Sequence, residues 1–143
     1  MKITIIVPGK FHAFYLAKGL QKKNVLEKII TSYPKFLLLR EHIQNKFIIS
    51  IFIKEIIERL LLRLRLINLL TKLNFFINYL FEYISSYKVD YKKINILVSW
   101  SGVAEKSFQK ANIKNKKIIK ILERGSSHIV FQNNILLEEY KIL

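Results

Sequence analysis

The first 31 residues constrain the fold of this chain more than any other segment. Lys2 to Val7 is β-branched and apolar at nearly every position, which is typical of a strand buried on both faces of a parallel sheet, and Pro8 and Gly9 end it. Phe11 to Lys23 has helical spacing, and Val25 to Thr31 predicts a second strand. This order predicts a βαβ unit, the usual beginning of a doubly wound α/β domain.

The remaining chain continues the pattern. Helical periodicity covers about residues 53–84, a strand is expected at Ile94 to Trp100, and a helix at Val103 to Ala111. Lys117 to Leu122 predicts another strand, and Ile129 to Leu143 a last helix. The sequence therefore predicts four strands in a Rossmann-like, mainly parallel sheet with helices on both faces, and no internal repeat divides it.

The helical middle carries two apolar stripes. The first is flanked by charged residues, and Leu62 and Leu66 fall on its charged side, where they are hardest to bury. The stripes are formed by Ile53, Ile56, Ile57, Leu60, Leu61, Leu64 and Ile67, and by Leu73, Phe76, Ile77, Leu80 and Ile84. No run approaches the roughly 20 apolar residues that a transmembrane helix needs. The aromatic residues from Tyr79 to Lys93 have helical spacing, which favours a place in the core over stacking on nucleic acid.

The formal net charge of +15 suggests a polyanionic partner, either an anionic membrane face or nucleic acid. The lysines are spread along the whole chain, which argues against a nucleic-acid site. It favours a chain-wide bias in amino-acid composition, together with weak attraction to a membrane. The chain has no cysteine, so disulfides and thiolate metal sites are excluded, and His12, His42 and His128 show no zinc-binding spacing. No G-x-S-x-G nucleophile elbow is present.

The unusual polar residues follow the predicted strands. They fall in three loops, at residues 9–12, 99–103 and 123–128. In open parallel sheets ligands bind beyond the carboxyl ends of the strands, where helix N-termini favour anions. These loops are therefore the candidate binding or catalytic site.

Each loop also has a purely structural interpretation. Gly9 would let the backbone approach a ligand beside Lys10 and His12, or would simply form a tight turn. Ser101 and Gly102 would offer a hydroxyl and N–H groups, or cap the next helix.

The third loop concentrates the most polar chemistry. Its residues are Glu123, Arg124, Gly125, Ser126, Ser127 and His128. A serine there would cap a helix and the two charges would pair, which leaves the histidine unexplained. His128 is the candidate general acid or base, because imidazole ordinarily titrates near neutral pH.

Three segments resemble glycosyltransferase family 4. GKFHAFYLAKGLQKKNVLEKIITSYPKF is similar to the start of its members, while ILVSWSGVAEKSFQKA and LERGSSHIVFQNNILLEEY resemble later parts of their N-terminal domain. The resemblance implies one half of a glycosyltransferase B fold, with residues 1–143 as a partial N-terminal domain carrying a helical insertion at about 53–84. It places Gly9, Lys10 and His12 in the cleft, with Ser101, Gly102 and residues 123–128 as its wall.

The chain also departs from that family. The donor-binding domain, with its two glutamates eight residues apart, has no counterpart in this sequence. The expectation is a truncated transferase domain, inactive alone, whose parent transfers sugar from a nucleotide-sugar to a cell-surface polysaccharide or lipid-linked acceptor on the cytoplasmic membrane face. The alternatives are the non-catalytic half of a split enzyme with a separately encoded donor domain, a membrane-surface protein, and a basic nucleic-acid binder.

Overall fold

The structure, a computed structural model, describes residues 1–9, 12–125 and 133–138. The strands form one five-stranded parallel sheet in the order β3-β2-β1-β4-β5. They are β1 (Ile3–Val7), β2 (Leu26–Thr31), β3 (Ile48–Ser50), β4 (Ile96–Trp100) and β5 (Ile119–Glu123). The sheet with its flanking helices confirms the Rossmann-like α/β prediction.

Four longer helices connect the strands. They are α1 (Ala13–Lys22), α2 (Ile53–Arg63), α3 (Ile67–Lys88) and α4 (Glu105–Lys114). Residues 133–138 are also helical. Just after the end of α1, Asn24 takes a left-handed φ of 56° that turns the chain towards β2, and the Val25 N–H donates to the Leu20 carbonyl at 3.0 Å.

The helices lie on both faces of the sheet. The chain moves one way across the sheet from β1 to β2 and the other way from β4 to β5. Since such crossovers are right-handed, α1 and α4 lie on opposite faces. Helix α3 packs against α4, and α1 packs on β1 and β2. The completely or almost completely buried core includes Ile5, Ile6, Phe14, Ile29, Phe81 and Leu97.

The sequence did not predict the edge strand β3. It is three residues long and follows two short 3-10 segments, Lys35–Glu41 and Asn45–Phe47. Ladder pairing with β2 and a hydrogen bond of 2.7 Å from the Ser50 hydroxyl to the Tyr33 carbonyl hold it in place. Such a short segment has no periodicity that distinguishes it from a loop.

The helices of the middle segment lie where the sequence predicts them, but the apolar face of the first helix is not the buried face. Two helices are present, with a break at 64–66, yet most of the first apolar stripe is turned to solvent. The prediction that the later aromatics are core residues is wrong for Tyr79, Tyr83 and Tyr87, whose exposures are 41%, 45% and 62%. Leu62 and Leu66 are exposed, as expected. Of the predicted last helix, residues 129–132 and 139–143 lie outside the described part of the chain.

Candidate functional site

The loop after β1 is fixed by the end of β2. Gly9 has a φ of 128°, a conformation that side-chain-bearing residues rarely adopt. The buried hydroxyl of Thr31 donates to the Gly9 carbonyl at 3.0 Å and accepts from the Tyr33 N–H at 3.1 Å. One threonine therefore joins the carboxyl ends of two adjacent strands.

The histidine of this loop reaches across to β4 and β5. The ring of His12, immediately before α1, packs against Trp100 with 5.3 Å between ring centroids. Its Nε2 lies 3.6 Å from Oε1 of Glu123, and the two side chains are 60% and 40% exposed. Trp100 is buried and gives the His12 ring a fixed apolar contact, while the histidine and the carboxylate both remain open to solvent.

The loop after β4 is joined to the same cluster. The Ser101 N–H donates to the Glu123 carbonyl at 2.9 Å, and Gly102 has a φ of 90°. Both residues are exposed. The alternative that Ser101 caps the following helix is wrong, because the N-cap of α4 is Ala104 and no side chain of its own loop caps it.

The structure thus brings together the described members of all three loops. Gly9, His12, Ser101, Gly102 and Glu123 lie at one edge of the sheet, because parallel strands all end there. Arg124 and Gly125 continue directly from β5 and are exposed. The predicted site residues Lys10, Ser126, Ser127 and His128 lie outside the described residues.

A groove that the sequence did not predict opens beside Ser101. It encloses about 910 Å³ between α3 and the start of α4, and its lining includes Asn74, Asn78, Tyr79, Ser101, Gly102 and Leu122. The signal for it was a line of uncharged amides on α3, spaced four residues apart. Amides and hydroxyls both donate and accept hydrogen bonds, and an aromatic ring offers an apolar face, so the groove suits a polyhydroxylated ligand.

A buried carboxylate fixes one side of this groove. Glu82 on α3 is 6% exposed, and its Oε1 accepts the backbone N–H of Lys106 at 2.8 Å. Lys106 is the second residue of α4, so the carboxylate lies where the helix carries partial positive charge. The contact fixes the position of α4 relative to α3.

Two lysines of α4 lie over tyrosines of α3. The Lys106 ammonium is 5.5 Å from the Tyr79 ring centroid, and the Lys110 ammonium lies over Tyr83 and Tyr87. Burial lowers the pKa of Lys110, whose ammonium has no hydrogen-bond partner among the described residues. The exposed tyrosines therefore hold these cations through their ring faces.

The described residues contain no group of three or more His, Asp or Glu side chains that could hold a metal ion. In the same part of the chain, no helix has the length and hydropathy to cross a bilayer.

Comparison with models of known families, with curated proteins and with solved structures found no match.

Proposed function

We propose that this chain is the acceptor-side half of a family 4 glycosyltransferase, which works together with a nucleotide-sugar-binding domain. In this proposal the polar edge of the sheet and the adjacent groove receive the acceptor. The parent reaction transfers a sugar from a nucleotide-sugar to a cell-surface polysaccharide or lipid-linked acceptor.

One observation carries the proposal. His12, Ser101 and Glu123 come from three distant segments and meet at the carboxyl edge of a parallel sheet, where such sheets bind ligands. The cluster borders a groove whose lining combines amides and hydroxyls with charged, aromatic and aliphatic side chains. These groups match the alternating polar and apolar surface of a sugar.

In this arrangement each group has a definite task. The Glu123 carboxylate can accept a hydrogen bond from an acceptor hydroxyl, and the His12 imidazole beside it can exchange the proton that this hydroxyl loses. The ring of Trp100 packs against the His12 ring and limits its movement. In this proposal the amides of α3, which line the groove, form hydrogen bonds with the rest of the acceptor.

A transfer assay tests the proposal. Cells express the chain together with the coding sequence that follows it, and extracts receive radiolabelled nucleotide-sugars with membranes as the acceptor source. Label is expected in the polysaccharide or lipid fraction. His12→Ala and Glu123→Gln each lower incorporation by about tenfold or more, the effect of losing a hydrogen bond to a charged group worth about 1.5 kcal/mol.

The control variant is Lys22→Ala. Lys22 is exposed at the C-terminal end of α1, near the amino ends of the strands and away from the site. Its replacement leaves transfer unchanged. Absence of transfer in every preparation contradicts the proposal, as does equal transfer by wild type and both site variants.

A further inference from the structure

Helix α2 carries its charged face inward. The side chains of Lys54, Glu55 and Glu58 are only 11%, 15% and 22% exposed. Glu55 accepts a hydrogen bond of 3.0 Å from the Ser32 hydroxyl, while Glu58 pairs with Lys54. Ile56 and Leu60, on the other side of the helix, are 52% and 54% exposed. The orientation is the reverse of that expected for an amphipathic helix on a water-facing surface.

The apolar surface continues through the turn into α3. Ten large apolar side chains between residues 53 and 76 are each between 42% and 82% exposed. They are Ile53, Ile56, Leu60, Leu62, Leu64, Leu66, Ile67, Leu69, Phe75 and Phe76. So many large apolar side chains exposed on one segment mark it as an interaction site.

The exposed charges on this surface are all positive. Arg59, Arg63, Arg65 and Lys72 are exposed, and among the described residues only Arg59 of these four pairs with a carboxylate, that of Glu55 at 3.6 Å. From residue 59 to residue 89 the one acidic residue is Glu82, which is buried against α4. A second copy of this surface would bring like charges together, whereas an anionic surface would neutralise them.

We propose that α2, the turn and the first half of α3 form an interfacial anchor that lies on an anionic lipid bilayer. The leucines and isoleucines enter the boundary between headgroups and acyl chains, and the arginines and Lys72 contact lipid phosphates. At the turn, an open surface depression of about 540 Å³ is lined by Arg65, Leu66, Ile67, Asn68, Leu69 and Lys72. Its two cations with an apolar wall suit a phospholipid headgroup and the start of its chains.

Vesicle co-sedimentation of the purified chain tests this anchor. Phosphatidylcholine vesicles are compared with mixed phosphatidylcholine and phosphatidylglycerol vesicles at low and high salt. Binding is expected on the anionic vesicles and weakens at high salt. The double variant Arg63→Gln/Lys72→Gln binds them about 30-fold more weakly, since each basic residue near the surface contributes about 1 kcal/mol.

The apolar contribution is measured separately. Leu60→Ser weakens binding to anionic vesicles by about tenfold, because the leucine no longer enters the interface. Arg63, Lys72 and Leu60 are all exposed, and circular dichroism verifies that the double variant and Leu60→Ser fold. The matched controls are Lys116→Gln/Lys117→Gln, which removes the same charge elsewhere, and Ile113→Ser on α4, where the side chain is 80% exposed.

Three results overturn the anchor. The first is absence of binding to either vesicle, and the second is equal loss in the anchor variants and their controls. The third is a dimer in solution that Leu60→Ser dissociates, which would mean that a second copy covers this surface. The vesicle assay requires no sugar transfer, so its outcome is independent of the proposed reaction.

Discussion

Gly102 and Gly19 are glycines with different backbone conformations. At both positions an added Cβ would meet no atom within 4 Å, so sterics with neighbours do not distinguish them. Gly102 has a φ of 90°, whereas Gly19 lies within α1, where alanine is the better residue. The backbone alone therefore decides the effect of each substitution.

Gly102→Ala is expected to lower the free energy of unfolding by about 1–3 kcal/mol, because alanine is strained at that φ. Gly19→Ala is expected to raise it by about 0.5–1 kcal/mol. Urea denaturation followed by circular dichroism measures both. Equal stability changes of the same sign would show that the turn at Ser101–Gly102 relaxes freely, and would weaken its role as a rigid wall of the groove.

At the scale of single elements, the first βαβ unit and β4 could be predicted because their signals are local. A continuous apolar run ended by Pro8 and Gly9 and a helix stopped at Asn24 need no distant contact to be recognised. The orientation of α2 could not be predicted, since its inward face depends on Ser32 and on pairing within the helix. An amphipathic pattern identifies two faces without saying which one meets water.

The candidate site also has one part that the sequence predicts and one part that it does not. The convergence of His12, Ser101 and Glu123 follows from strand order alone, because the carboxyl ends of parallel strands share an edge. The groove wall contributed by Asn74 and Asn78 depends on how α3 packs against α4, which no local pattern specifies.

The contact between Glu82 and α4 makes that packing testable. Glu82→Ala is expected to destabilise the fold by about 2 kcal/mol, since it removes a cap and leaves the Lys106 N–H without a partner. Glu82→Gln keeps an acceptor oxygen and loses only the interaction of its charge with the helix dipole, about 0.3–1 kcal/mol. Thermal or urea unfolding measures both variants. Glu105→Ala is the control: it removes an exposed first-turn carboxylate and its hydrogen bond to Gln109, but leaves the contact between Glu82 and the Lys106 N–H in place, so a smaller loss is expected. A loss equal to that of Glu82→Ala would contradict the capping role.

At the scale of the whole molecule, the two ends of the sheet differ. The edge strand β3 is short and partly covered, whereas the opposite edge strand β5 presents Ile119, Ile121 and Leu122 at 59%, 42% and 50% exposure. Among the described residues, no strand pairs with the outer side of β5. An exposed apolar edge strand is a template for pairing with another chain.

We therefore expect the isolated chain to self-associate through β5, with a weight-average mass that rises with concentration in sedimentation velocity. Ile119→Lys/Ile121→Lys places two like charges on one face of this strand, since side chains two apart in a strand point the same way. The double variant should remain monomeric at concentrations where wild type associates. Ile113→Lys adds a charge at an even more exposed position on α4 and should leave association unchanged, because a helix has no free strand edge to pair. Association that both sets of variants suppress equally would mean that net charge, rather than the β5 edge, controls solubility.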